Sequence, residues 1–414
     1  MTNQTLSPTL DRRAFLRRSA LAGVGAAAAT IALPHGVALA TPGRPHRGDL
    51  IVSVTLDGGM DGLAALVPYH NNTYYNLRPQ TSIAPPGQPG GCIDLDGTWG
   101  LHPALAPLLG AWNAGHLAFV EACGTPSSIS EKRSHFEMLD ALKHAGVGMT
   151  TGWAARHMNR VTGRETISAQ SFSSSLDQKL AGFGGALSGW TLQPQLDYAS
   201  SPNKVVSALD ASYGGSSPVG AAGQLLIESI QDRGQINFWD YDHNGSTYPN
   251  RGIAWSLRNT AMLARAAIGV EFVSISSGGW DTHDNQGNAQ GGHLLNRFQS
   301  LAGALAAFYA DMLATNSDIT LVITTEFGRL LTESSTGTDH GRASVMMALG
   351  RHVNGGIHGL PTQIDPDLDD RAVPVRNDYQ TVLAEMLVKR RGETSPATVF
   401  PNWQPSPFLG VFKN

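Results

Sequence analysis

Leu50-Ile51-Val52-Ser53-Val54-Thr55-Leu56-Asp57-Gly58-Gly59 is the stretch on which the fold turns. Seven uncharged, β-rich residues run without in-out alternation, as in a strand covered on both faces, and an acid followed by two glycines stops them. Comparable runs occur at Leu117–Ala122, Val270–Ser276, Ile319–Thr325 and Ser344–Leu349. Between the last pairs, residues 294–313 place Leu294, Phe298, Leu301, Leu305, Phe308 and Met312 three and four apart, a helical stripe. Asp378–Arg390 has an apolar face of Leu383, Met386 and Leu387. Strands separated by helices of this length predict a layered α/β fold around a central, mostly parallel sheet. Residues 150–250 differ: Ser171–Ser175, Gly182–Gly189 and Gly214–Ser217 show little strand periodicity. They are expected to form an inserted Gly/Ser-rich cap within a single domain, 49–414, that follows a linker at 41–48.

Composition sets the outer limits. With 41% hydrophobic residues in 414, the chain can bury a sizeable core, which excludes disorder as its main state. The net charge of −4 hides an N-terminal cluster: Arg12, Arg13, Arg17 and Arg18 with the single acid Asp11. Beyond residue 40 there are 25 basic against 32 acidic residues, a balance of −7 with no basic block. That excludes the electrostatic footprint of a nucleic-acid or anionic-lipid binder.

Asp11-Arg12-Arg13-Ala14-Phe15-Leu16-Arg17 resembles the twin-arginine export motif. The Ala- and Gly-rich run Leu21–Leu33 would span about 20 Å as a helix, short of a ~30 Å hydrocarbon core. Ala38-x-Ala40 fits a small-residue cleavage site. The expectation is a leader over 1–40, the twin-arginine translocase as a transient partner, and a periplasmic or extracellular chain with no transmembrane anchor after cleavage. That route carries folded cargo and so favours an inserted metal or cofactor. Cys92 and Cys123 are the only cysteines; a bridge and buried free thiols both stay open, and two Cys do not make a structural zinc site.

Polar clusters fall where strands end, the usual ligand position of open α/β sheets. A carboxylate one residue off a buried strand, Asp57, is poorly solvated unless it meets a cation or donor, so it reads as a metal ligand. Asp61 reads as a helix cap. Ser128-x-x-Glu131 matches a capping box, which puts Ser134 and His135 in the first turns of a helix. Ser134 is a candidate nucleophile and His135 a ligand or acid; about 100° apart, they do not form a dyad with each other. In Gly278-Gly279-Trp280-Asp281-Thr282-His283 an extended chain puts residues i and i+2 on one side, so Asp281 and His283 converge on one metal. Glu326, Asp339 and His340 are candidates to complete the set. Arg329 and Arg342 are candidates to clamp an oxyanion, against the default of an ordinary ion pair. His293, His352 and His358 occur singly and stay outside the set. The expected cofactor is one or two divalent ions, with Zn, Mn or Ca all open. No G-x-S-x-G elbow ends a strand, which argues against a metal-free serine hydrolase.

Taken together, Asp57-Gly-Gly-Met-Asp-Gly62, Leu101-His-Pro-Ala-Leu105, Arg133-Ser-His-Phe-Glu137, Asp281-Thr-His283, Thr325-Glu-Phe-Gly-Arg329, Thr338-Asp-His-Gly341 and the leader resemble a twin-arginine-exported family. That family is a domain of unknown function within the alkaline phosphatase/sulfatase superfamily. The resemblance implies an alkaline-phosphatase-like layered fold, a two-metal centre and a Ser, Thr or modified Cys nucleophile acting on a phosphate or sulfate ester. Asp57 matches the first-strand metal Asp, and Ser134 lies near the nucleophile's place. Asp281-x-His283 stands where the better-known enzymes have Asp-x-x-x-His, and Glu326-Phe327 stands where they have Asp-His. Asp339-His340 takes over that pair's role or supplies the final His. Two functions are therefore expected: metal-dependent hydrolysis of a small-molecule or glycan ester, or an extracellular binding or structural protein that keeps the fold without turnover.

Overall fold

The computed structural model describes residues 48–161, 168–192, 202–213, 220, 223–224, 227, 241–314, 318–368 and 370–414. The expected leader and the linker through residue 47 lie outside them, as does much of the expected cap.

The strands in chain order are β1 (Leu50–Asp57), β2 (Leu66–Val67), β3 (Ile93–Asp94), β4 (Gly100–Leu101), β5 (Leu117–Gly124), β6 (Ala169–Phe172), β7 (Ala186–Ser188), β8 (Phe272–Gly278), β9 (Ile319–Thr324), β10 (Ser344–Leu349), β11 (Gly356–His358) and β12 (Asn377–Asp378). Among the described residues, β2, β4 and β3 make a small sheet. The other nine form one large sheet in the order β11-β5-β10-β9-β1-β8-β6-β7, with β12 also on β5. β1 is its centre, parallel to β8 and β9. β10 alone runs antiparallel to its neighbours, β5 and β9. It therefore starts at the edge where the parallel strands end.

Alternation along β1 sorts its side chains between two cores. Leu50, Val52, Val54 and Leu56 pack with Leu257 and Leu294, Phe298, Leu301 and Leu305. Ile51 joins Val120, Val322 and Met346 against Leu142, Trp153, Val382, Leu383 and Leu387. The second group of helices comprises α1 (His135–His144), α2 (Trp153–Arg160) and, later in the chain, α5 (Tyr379–Arg391). The first comprises α3 (Ile253–Ala266) and α4 (His293–Phe308). Helices thus cover both faces, which is why β1 carries no charge until Asp57. Among the described residues no helix is long and apolar enough to cross a membrane.

The strands anticipated from composition are all present. Two expectations need correction. Residues 169–172 and 186–188, assigned to a cap, are parallel strands that extend the sheet beyond β8. Ser128 caps no helix: it sits in a turn, and α1 starts seven residues later with Ser134 at its N-cap. Cys92 and Cys123 are buried free thiols.

Candidate functional site

The loops leaving β5, β1, β8 and β9, and the loop entering β10, meet at one edge of the sheet. Gly58 and Gly59 make the approach possible at φ +129° and +72°. A Cβ on Gly58 would run into the backbone of Trp280 and Asp281, and one on Gly59 into the Phe327 ring.

Three imidazoles and one carboxylate converge there. His283 Nε2 lies 3.1 Å and His340 Nε2 3.2 Å from Asp281 Oδ1, and His135 Nε2 lies 3.3 Å from Asp281 Oδ2. His283 Nε2 and His340 Nε2 are 2.9 Å apart. Facing atoms of His135, Asp281 and His340 all fall within 4.8 Å of one another.

The opposite side of each ring is fixed by an acceptor. His135 Nδ1 donates to Glu326 Oε1 (2.8 Å), His283 Nδ1 to Asp339 Oδ1 (2.8 Å) and His340 Nδ1 to the Arg133 carbonyl (2.7 Å). Those acceptors place the proton on Nδ1 in each neutral ring, which leaves three Nε2 lone pairs facing a carboxylate. The His135 Nε2 atom is buried and has no hydrogen-bond partner. Such a set of acceptors repels itself unless a cation or proton lies between. Ligand atoms at ~2.0–2.2 Å from one ion stand about 3–3.5 Å apart; the imidazole contacts to the two Asp281 oxygens, 3.1–3.3 Å, fall in that range, and His283 stands beside the group of His135, Asp281 and His340.

Local charges agree with this arrangement. Burial opposes the Asp281 carboxylate, but the hydrogen bond from the Arg329 guanidinium outweighs it, and the pKa is held at about 2. The hydrogen bond to Glu326 raises that of His135 against burial, and burial lowers that of His340. The hydrogen bond from His283 lowers that of Asp339. Asp281 and His283 remain 43% and 42% exposed, so the group is open to solvent on one side.

Each residue singled out in the sequence has a definite place. Asp281, His283 and His340 come together, and His135 joins them. Glu326 and Asp339 touch the imidazoles' far nitrogens instead; Glu326 is buried and also accepts from Gly58 N (2.7 Å). Arg329 is buried and has turned inward, donating to Gly59 O (2.7 Å), Thr338 O (2.9 Å), Trp280 O (3.0 Å), Gly58 O and Asp281 Oδ1 (2.7 Å). Arg342 is at the rim, on Asp370 Oδ2 (3.0 Å). Ser134 makes no side-chain cap hydrogen bond. Asp57 is not in the group formed by His135, Asp281 and His340; its Oδ1 is buried without a partner, and burial raises its pKa against the charge of Lys143.

Several supporting residues carried no sequence signal. Gln286 Oε1 accepts from Thr282 Oγ1 (2.8 Å) and Thr338 Oγ1 (2.5 Å), joining the loops that present His283 and Asp339. Its amide donates to Asp61 Oδ2 (2.8 Å), which also takes Arg78 (2.6 Å). Asp61 caps the short helix after β1 as expected, through Leu63 N (3.2 Å). Lys179 is buried on the β1 face below Asp57, with Nζ on Thr55 Oγ1 (2.8 Å) and Ser53 Oγ (3.1 Å).

Residues 241–398 match the family model described as Protein of unknown function (DUF1501). The matched stretch, less than half of the chain, carries Asp281, His283, Glu326, Arg329, Asp339 and His340 but neither Asp57 nor His135. The expected domain of unknown function holds for those residues. No curated protein matches the chain.

Proposed function

We propose that His135, Asp281 and His340, with His283 beside them, hold a divalent metal ion, and that the protein hydrolyses a phosphate or sulfate ester. The observation that carries this is the three imidazoles whose Nδ1 atoms are all tied back, so that their Nε2 lone pairs face Asp281. Carboxylate with imidazole suits Zn or Mn better than Ca. A divalent ion bound there would polarise an ester oxygen and lower the pKa of a bound water. The chain's own groups do the rest. Glu326 and Asp339 set the ring orientations, Arg329 holds Asp281 ionised, and the exposed side of Asp281 and His283 admits substrate. Ser134, with its hydroxyl free of a cap bond, is the nucleophile to test against water.

The choice of ester rests on the superfamily resemblance, supported by helices on both faces of a mostly parallel sheet and polar loops at its carboxyl edge. Export of a folded chain to the periplasm or beyond, through the leader at 1–40, belongs to the same reading. The group of facing ligand atoms holds His135, Asp281 and His340 but not Asp57, which favours one ion over two.

Metal analysis of the purified full chain, followed by an ester panel with and without chelator, is the test. About one equivalent of Zn or Mn, lost in Asp281→Ala, and ester turnover abolished by chelation are expected. Wild type that takes up no metal, with turnover unaffected by Asp281→Ala, would sink the proposal. Metal bound without any turnover would select the binding-protein alternative.

A further inference from the structure

His340 differs from the other two imidazoles in what holds it. His135 leans on the buried Glu326 and His283 on the half-exposed Asp339, whose neighbour Thr338 is buried and bonded to Gln286. His340 leans on a backbone carbonyl, that of Arg133, in a segment without helix or strand between β5 and α1. A carbonyl on an irregular segment is only as well placed as the segment's anchors. Residues 126–130 bond among themselves, through Ile129 N and Ser130 N to Pro126 O. The anchors to distant chain run through Arg133 and Glu131. The Arg133 guanidinium pairs with Asp370 and reaches His340 O (3.4 Å). Asp370 also takes Arg342 Nε (3.0 Å) and Ala372 N (3.1 Å), and Glu131 lies 3.6 Å from Arg342.

We infer that Asp370 is a positioning residue. By clasping Arg133 and Arg342 it holds segment 125–134 across the site as a strap, and the strap's carbonyl fixes the ring orientation and tautomer with which His340 faces Asp281. Release of the clasp frees the His340 ring and slackens the chain leading into His135, so two of the converging imidazoles lose their aim together. Both guanidinium pairs are part exposed. Salt therefore weakens the strap, whereas the buried Glu326–His135 contact is screened far less. The inference rests on the metal reading for its purpose but not for its test.

The experiment uses the full chain as wild type, Asp370→Asn and Arg342→Gln, the last as a second route should the first fail to fold. In metal-free, histidine-15N-labelled protein, wild-type His340 is expected in the single Nδ1–H tautomer. Asp370→Asn is expected to mix the His340 tautomers and leave His283 unchanged. Zn2+ affinity is expected to fall 10- to 100-fold, the range for removal of a ligand's orienting partner. In wild type 1 M salt is expected to reproduce part of that loss. An unchanged His340 tautomer in the folded variants overturns the strap, whatever the metal result. A wild type that binds no Zn2+ overturns the metal reading and leaves the imidazole spectra to decide the strap.

Discussion

Arg329 looks in sequence like a substrate clamp at a strand end, but its guanidinium is enclosed and shared among Asp281 and the carbonyls of Gly58, Gly59, Trp280 and Thr338. Arg329→Met strands those carbonyls and leaves Asp281 without its buried counter-charge. The stranded carbonyls set the expected loss in urea unfolding at about 1–3 kcal/mol; a loss below about 0.5 kcal/mol would show that they re-solvate. Lys179 offers a cleaner test because its charge is the variable. Burial lowers its pKa to about 8, below the ~10.4 of an unfolded lysine. Between those values the unfolded chain holds a proton that the folded chain has lost, so this group's contribution rises with pH across the window and is smallest below pH 8. Lys179→Met should lose that rise in stability between pH 7.5 and 10; parallel curves for the two proteins would refute it. Residue type and spacing made Asp281 and His283 legible, since two positions along extended chain suffice to aim them together. His135 was harder, because its partners lie almost 150 and 200 residues away and nothing local states that α1 begins beside them.

At the level of elements, hydrophobic runs located the main strands and periodicity located α4 and α5, but neither carries direction. Nothing in Ser344–Leu349 says that β10 runs against its neighbours. β6 was missed because Ala169-Gln170-Ser171-Phe172 has no β-branched residue; its burial comes from β8 beside it and not from its own composition. The apolar face read for α5 understates its burial, since Tyr379–Leu387 are buried all round. The C-terminal tail accounts for that, with Gly410 N and Phe412 N each 3.1 Å from the Glu385 carboxylate. The helix ends at Gly392, φ +66°, where a Cβ would meet nothing within 4 Å. Gly392→Ala therefore isolates the backbone term and should cost about 1 kcal/mol in thermal or urea unfolding. A neutral result would mean the cap relaxes out of the left-handed region.

Across the whole molecule, the residues of the proposed centre and its strap run from Thr125 to Asp370, and a ligand held by them ties distant parts of the chain together. Zn2+ at 100 times its dissociation constant should stabilise the folded chain by about 2.7 kcal/mol, and Asp281→Ala should abolish the shift in thermal midpoint. Equal shifts in both proteins would place the ion elsewhere. The central position of β1 also has a consequence for synthesis. Its two neighbours, β8 and β9, are made more than 200 residues later. At about 5–20 residues per second the ribosome leaves β1 without either partner for roughly 10–40 s. For that interval an uncharged, β-rich heptamer, Leu50–Leu56, is out of the ribosome with both edges unpaired, the kind of segment that seeds aggregation. The strand that organises the finished sheet is thus a hazard to the nascent chain, and its protection falls to whatever holds unfolded chains until Phe272 has emerged.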